Sequence, residues 1–133
     1  MTVQLTDSVL NDVGTHLQTS GIGTLGVDVF LYQLPHQPTE AVAVIPTGGP
    51  RLAADLNAIK RVQFQVLIRA DSITSGMQKA EKVFSALDNQ ANVLANNPGR
   101  IFGDHEPGVH FRDANNRVVF SLNFTTTLLR ETS

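Results

Sequence analysis

Ala41-Val-Ala-Val-Ile45, then Pro46-Thr-Gly-Gly-Pro50, then Val62-Gln-Phe-Gln-Val-Leu-Ile-Arg-Ala70: this stretch decides the fold. The first run is short and apolar, and the Pro-Thr-Gly-Gly-Pro segment breaks it. The third alternates with period two, so Val62, Phe64, Val66, Ile68 and Ala70 share one face of a strand. Gln63, Gln65, Leu67 and Arg69 take the other. From about Thr74 or Ser75 the period changes to that of a helix, with Met77, Ala80, Val83, Phe84 and Leu87 on one side. Strand, Gly-Gly turn, strand, helix is a scaffold order with no nucleophile, phosphate loop or metal cluster inside it.

Working outward, Leu5-Thr-Asp-Ser-Val-Leu10 reads as a helix start, with Thr6 as cap and Leu5 and Leu10 placed as a hydrophobic staple. Val9, Leu10, Val13 and Leu17 recur at helical spacing, and Ser20-Gly-Ile-Gly23 stops the helix with Gly21 as its natural C-terminal cap. A strand is expected from Gly26 to Leu34, ended by Pro35, and His36-Gln-Pro-Thr-Glu40 reads as a polar turn. The second helix ends by Asn97-Pro-Gly99, and its extent beyond Asn89 is open. Asp113-Ala-Asn-Asn116 turns the chain into a long last strand with Val118, Phe120, Leu122, Phe124, Thr126 and Leu128 on one face.

Two helices and about five strands in this order predict an α+β sandwich: a mostly antiparallel sheet with both helices packed on one face, a single domain over residues 1–133. A chain of 133 residues is long enough to bury a sizeable core. The opposite sheet face carries Gln63, Gln65, Leu67, Arg69, Val119, Asn123, Thr125, Thr127 and Leu129. It reads either as solvated sheet or as a surface for another subunit.

Composition narrows the function classes. The formal charge is −2 without a block of like charges, which disfavours a duplex-binding surface. No apolar run reaches the roughly 20 residues a spanning helix needs. Met1-Thr-Val-Gln-Leu-Thr-Asp7 has neither the basic start nor the apolar stretch of a signal peptide, so a protein made and used in a cytosol is expected. Cysteine is absent, which removes disulfides, thiolate catalysis and cysteine–zinc sites.

Gly21-Ile-Gly-Thr-Leu-Gly26 matches G-x-G-x-x-G literally, but the dinucleotide fingerprint needs a strand before it and a helix after it. Here the expected order is reversed, so a flexible turn is the better reading. Thr47-Gly-Gly-Pro50 lacks the lysine of a P-loop. Asp104-His105-Glu106 with His110 is the one cluster with ligand-like chemistry. Pro107 and Gly108 forbid a helix there, so only a tight loop would gather both imidazoles; an exposed hairpin loop is the alternative. His16 lies off the apolar stripe and His36 in a turn, neither with a visible partner. No serine sits in a Gly-x-Ser-x-Gly elbow. The expectation is therefore not an enzyme, with no cofactor and no resident metal.

The apolar strand 41–45 closing on Thr47-Gly48-Gly49-Pro50, the alternating strand ending Ile68-Arg69-Ala70-Asp71, the following helix over 80–87, and Phe30-Leu-Tyr-Gln-Leu-Pro35 together resemble a known family. It is the tail terminator and minor capsid, or head–tail joining, proteins of long-tailed bacteriophages. The likeness runs from about residue 5 to 130; Arg100-Ile-Phe-Gly-Asp-His-Glu-Pro-Gly108 departs from the family pattern. The resemblance implies a structural virion protein of the tail–neck region, assembled in the host bacterial cytoplasm. It implies a self-assembled ring, usually a hexamer, that caps the tail-tube protein on one side and docks the head-completion or connector protein on the other. The resemblance leaves DNA a passage through such a ring, without sequence-specific contact and without a membrane. A ring interface is heterologous and needs two different patches per subunit. The expected contacts are Thr47, Gly48, Gly49, Pro50 and Arg51 in one loop, Asp104, His105 and Glu106 in another, and Arg69 on the open sheet face. Arg51 would donate to a neighbouring carboxylate or stay solvated. The alternatives are a connector component of the same neck, or a small binding module holding a metal around residues 104–110.

Overall fold

Two helices and six strands follow one another in the order α1 (Thr6–Thr19), β1 (Val29–Leu31), β2 (Ala41–Gly48), β3 (Ile59–Ala70), α2 (Ile73–Leu87), β4 (Ile101–Gly103), β5 (Gly108–Arg112) and β6 (Val118–Leu129). They come from a computed structural model that describes residues 6–48, 59–90, 93, 101–104 and 108–129. The expected Leu5–Leu10 staple, the helix limit at Asn97-Pro-Gly99, and Gly49, Pro50, Arg51, His105 and Glu106 lie outside those residues.

The sheet runs β1-β2-β3-β6-β4, with β5 also paired to β6. Only β1 and β2 are parallel; the other pairs are antiparallel. The long β3–β6 ladder sets Phe64 opposite Phe124, Val66 opposite Leu122 and Ile68 opposite Phe120, so the two apolar alternations fall on one face. Helix α1 lies against β1 and β2, and α2 against β3, β6 and β4. Between the layers, Val9, Leu10, Val13 and Leu17 of α1 and Ala80, Val83 and Leu87 of α2 are fully buried against the valines and phenylalanines of the sheet. The Phe64 and Phe124 rings stack at 5.4 Å, and Phe84 of α2 lies 6.0 Å from Phe124. Each large apolar side chain taken from water here stabilises the fold by about 1.5–3 kcal/mol.

Helix α1 ends where the glycine pattern places its stop. Gly21 has φ +82°, its N–H donates to the Gln18 carbonyl, and the Ile22 N–H donates to the Leu17 carbonyl. Those two bonds make a Schellman cap, and Ile22 and Leu17 both belong to the core. Helix α2 begins earlier than Thr74, because the Ser72 side chain caps it by accepting from the Ser75 N–H.

Three expectations are corrected. The strand expected over 26–34 is only Val29–Leu31. Upstream, the Thr24 carbonyl accepts from the N–H groups of Val27, Asp28 and Val29, while the Asp28 carboxylate accepts from the Thr24 N–H. This local turn holds the backbone that a longer strand would have needed. Downstream, Tyr32 takes φ +78° and leaves the strand direction. Second, the departure around residue 100 contains strand β4. It lies along the same side of β6 as β5: β4 pairs with Phe124, Thr125 and Thr126, and β5 with residues between Val118 and Ser121. Gly103 passes under the Phe84 ring, where a Cβ would come within 2.3 Å of Cε1; only glycine fits that crossing. Third, His16 does have a partner, donating a ring N–H to the Ala86 carbonyl at 2.9 Å and tying α1 to the last turn of α2.

Candidate assembly surface

The face of the sheet turned away from the helices is divided in two. At one end Ala41, Ala43, Arg69 and Val119 are all buried, although no helix lies there. What lies over them is the connection between the parallel strands β1 and β2. The Arg69 Nε donates to the Thr39 carbonyl at 3.0 Å, and its Nη2 donates to the carbonyls of His36 (3.2 Å) and Pro38. The Gln37–Pro38 peptide is cis.

A second arginine converges on the same loop. Arg117 Nη1 donates to the His36 carbonyl at 2.7 Å, and Nη2 donates to His36 Nδ1 at 3.3 Å. Its Nε pairs with Asp113 Oδ2 at 2.8 Å, and its backbone N–H donates to Asp113 Oδ1. Loop 36–39 is thus held by two buried guanidinium groups, one from β3 and one from the turn into β6. Burial, then the nearby Arg117 charge, push the Arg69 pKa below its ordinary value, while Asp113 acts the other way. Desolvation alone would raise the Asp113 pKa. The bonds it accepts from Arg117 and from the Asn115 N–H outweigh this and hold it below the usual carboxylate range.

Toward the other end the face opens. Ile45, Gln63, Gln65, Leu67, Asn123 and Thr125 are half-buried, and no described element covers them. Gln65 Nε2 donates to Ser121 Oγ at 2.6 Å and Gln63 Nε2 to Thr125 Oγ1 at 3.4 Å, so cross-strand amide–hydroxyl bonds fix these side chains. Phe102, opposite Thr125 on the edge strand, is 52% exposed, and Phe111, opposite Val119, is 45% exposed.

The expected contact residues separate accordingly. Thr47 is exposed at the end of β2, and Gly48 pairs with Gln63 after a register shift that follows Pro46. The same transverse row continues through Thr125 to Phe102, so Gly48 and the strand leading to Asp104 lie at the two ends of one row of the sheet. Asp104 is exposed at the edge and accepts from the Thr125 hydroxyl at 2.9 Å. Gly49, Pro50, Arg51, His105 and Glu106 are not among the described residues. Arg69 is on the open face by alternation, as read, but its guanidinium is buried and committed to loop 36–39. The segment 21–26 leads from a helix end into a strand, the reverse of a dinucleotide site.

Sequence reading missed the arginine clamp because Arg69 meets carbonyls 30 to 33 residues upstream, and Arg117 a partner 81 residues away. The one available signal was the alternation itself, which put Arg69 on the face turned away from the helices. A shallow recess of about 580 Å³ lies where α1 ends beside α2, lined by Ser20, Gly21, Ile22, Glu81, Lys82, Ser85 and Ala86. Among the described residues, no group of three or more histidines and carboxylates is placed to hold a metal. No helix is long and apolar enough to cross a membrane.

One sheet face is thus filled by helices, while the other is open, with its amides fixed by cross-strand bonds and a loop clamped across its end. The family profile described as bacteriophage tail terminator protein matches residues 16–130, from the last turn of α1 through β6, and the chain belongs to that family. It is a structural protein of a phage tail, and its place is in the virion. A similar fold occurs in a chain of the virion of a native gene transfer agent particle, with a TM-score of 0.58 and 15% identity over 94% of each chain. At that identity the likeness concerns the fold. No curated protein matches the chain.

Proposed function

We propose that this protein closes the head-proximal end of the tail as a ring, with six copies as the expected number. One ring face ends growth of the tail tube, and the other receives the head-completion or connector protein. The observation that supports this reading most strongly is the family match, which runs from the last turn of α1 through β6 rather than over a single motif. The architecture suits it. A closed ring needs two unlike patches on each subunit, and this sandwich offers a helical layer bearing Lys79, Glu81 and Lys82 and a sheet face of different chemistry. Thr47 and Gly48 at one margin, and Asp104 at the other, are the contact residues favoured among those described; Gly49, Pro50, Arg51, His105 and Glu106 complete the two loops. The role requires no turnover, cofactor or resident metal.

The direct test adds purified protein to tail-tube subunits polymerising in vitro. Substoichiometric protein is expected to halt elongation, and electron micrographs are expected to show extra density at one tube end. Tubes that grow at an unchanged rate, with bare ends, would refute the proposal. Density at the head vertex with none on the tubes would move the protein to the connector.

A further inference from the structure

Besides its two layers, the sandwich has a second pair of unlike surfaces, the two edges of its sheet. Among the described residues five large apolar side chains are exposed: Val27, Tyr32, Ile73, Phe102 and Phe111. All but Ile73 sit at those edges. Val27 and Tyr32 lie either side of β1, whereas Phe102 and Phe111 belong to β4 and β5. Charge also differs between the edges. Residues 1–50 contain Asp7, Asp12, Asp28 and Glu40 but no lysine or arginine. Cations reach the β1 side at Lys79, which donates to the Ile22 carbonyl, and at Arg69 and Arg117, both buried under loop 36–39. At the end of β5, Arg112 is exposed and donates to the Asn116 carbonyl, while the adjacent Asp113 is taken by Arg117. Asp88 and Asp104 lie beside β4, further along β6, where the Asp104 N–H donates to the Asn123 carbonyl.

From this we infer that neighbouring copies of this chain meet edge to edge, the β1 edge of one against the β5 edge of the next, with the mean strand direction along the ring axis. This rests on the ring reading given above and assigns its copy-to-copy contact. Register supplies the first argument. One transverse row of the sheet runs through Val29, Val42, Ile68, Phe120 and Val109, from one edge to the other. The next rows place Phe111 in line with Val119, Arg69 and Ala41, and Arg112 in line with Val118 and Ala70. At the β1 side of these rows stand Asp28, whose carbonyl accepts from the Val42 N–H, Val27 just before it, and Glu40 ahead of Ala41. A closed ring repeats one heterologous contact without rise along its axis, so surfaces at one level on opposite sides of a subunit are brought together. Phe111 then meets Val27, and the Arg112 guanidinium meets the Asp28 and Glu40 carboxylates. Such a match of sign and apolar content between two surfaces of one chain selects a second copy as the partner.

Backbone chemistry supplies the second argument. The Val29 N–H donates to the Thr24 carbonyl, and the Val29 carbonyl accepts from the Gly26 N–H, so these outer groups of β1 are already used. An extended peptide would gain few ladder bonds there, and the contact falls to side chains. The same turn is fixed by the Thr24 N–H on the Asp28 carboxylate and by the Leu25 N–H on the Gln18 side chain. Val27 is therefore presented in one arrangement, and a segment ordered in advance loses little freedom when a neighbour covers it. Tyr32 and Phe111 add the aromatic surface that interfaces favour. Arg112 gains charged acceptors beside its single neutral carbonyl.

Crosslinking in assembled particles tests the assignment. The chain has no cysteine, so introduced thiols react without background. Val27→Cys and Phe111→Cys in one chain, treated with a short bis-maleimide, are expected to give a ladder of covalent oligomers on denaturing gels, several-fold stronger than from either single variant. A dimer from Phe111→Cys alone in equal yield would show like edges meeting and overturn the proposal. So would the absence of a ladder from particles that contain the chain, and the tail role would stand in both cases. A charge exchange gives a second, independent reading. Arg112→Glu is expected to lower the yield of complete particles several-fold, and Glu40→Arg in the same chain to restore most of it. A yield that the exchange fails to restore would overturn the pairing of the two edges. Wild-type particles that never contain the chain would overturn both this contact and the tail role.

Discussion

Replacing Gly76 by alanine should destabilise the protein, although the same change in most helices is favourable. Gly76 lies inside α2 with ordinary helical geometry, so alanine there would normally add about 1 kcal/mol through helix propensity. Here the new Cβ would sit 2.3 Å from Phe120 Cε1, 2.9 Å from its Cδ1 and 3.3 Å from the Ala70 Cβ. Carbon atoms rest about 3.5–4.0 Å apart, so the ring has to move by more than 1 Å. Phe120 is fully buried and pinned in the β3–β6 ladder opposite Ile68, which leaves it no open direction. Overpacking costs typically 1–3 kcal/mol, and a backbone-mounted methyl against an enclosed ring falls at the upper end. The net loss expected is about 2 kcal/mol. At about 2.1 cal/mol/K per residue, 133 residues unfold with roughly 0.28 kcal/mol/K, so Tm should fall by about 7 °C.

Thermal unfolding followed by circular dichroism measures this directly, and a double-mutant cycle isolates its cause. Phe120→Leu shortens the obstructing side chain at its own cost of about 1–2 kcal/mol. In that background Gly76→Ala should recover most of its propensity gain, giving a coupling of about 2–3 kcal/mol between the two positions. A rise in Tm for Gly76→Ala in the wild-type background would refute the packing argument. So would strict additivity of the two substitutions.

Three other substitutions probe the remaining devices. Arg69→Met removes charged donors from three loop carbonyls; it should cost about 3 kcal/mol and speed amide exchange in residues 36–40 while leaving α1 protected, as hydrogen-exchange mass spectrometry would show. Asp113 has a depressed pKa in the folded state, so its stabilising effect is complete above its unfolded value near pH 4 and is lost as pH falls through the folded one. Asp113→Asn should therefore be less stable than wild type at pH 7, with the gap closing as pH falls below about 4; a gap that stays constant on acidification in chemical denaturation would contradict the pairing. Gly21→Ala meets no atom within 4 Å, so only the positive φ opposes it, and a loss of about 1 kcal/mol, or 3–4 °C in Tm, is expected.

How far the sequence could be read depended on how local each determinant is. Period-two alternation in residues 62–70 and 118–128 placed both long strands and their buried faces, because each strand carries its own signal. Gly21 ended α1 as expected, since an αL cap is decided within one turn. Strand β4 escaped because three residues, one of them a glycine, carry almost no periodicity. What makes it a strand is its partner β6 and the Phe84 ring above Gly103, both more than fifteen residues distant. Arg69 shows the same limit on the candidate surface. Alternation put it on the correct face, but its burial follows from a loop whose path depends on the parallel pairing of β1 with β2. The assembly role became legible through family resemblance, because a docking face without catalytic groups leaves no motif of its own.

Inactivating this gene in its phage and measuring tail lengths in the lysate by negative-stain electron microscopy tests the central claim most directly. A missing terminator leaves an uncapped tube that keeps adding layers, so the account predicts filled heads separated from tails of abnormal, widely scattered length. Tails of normal length, attached or not, would contradict it.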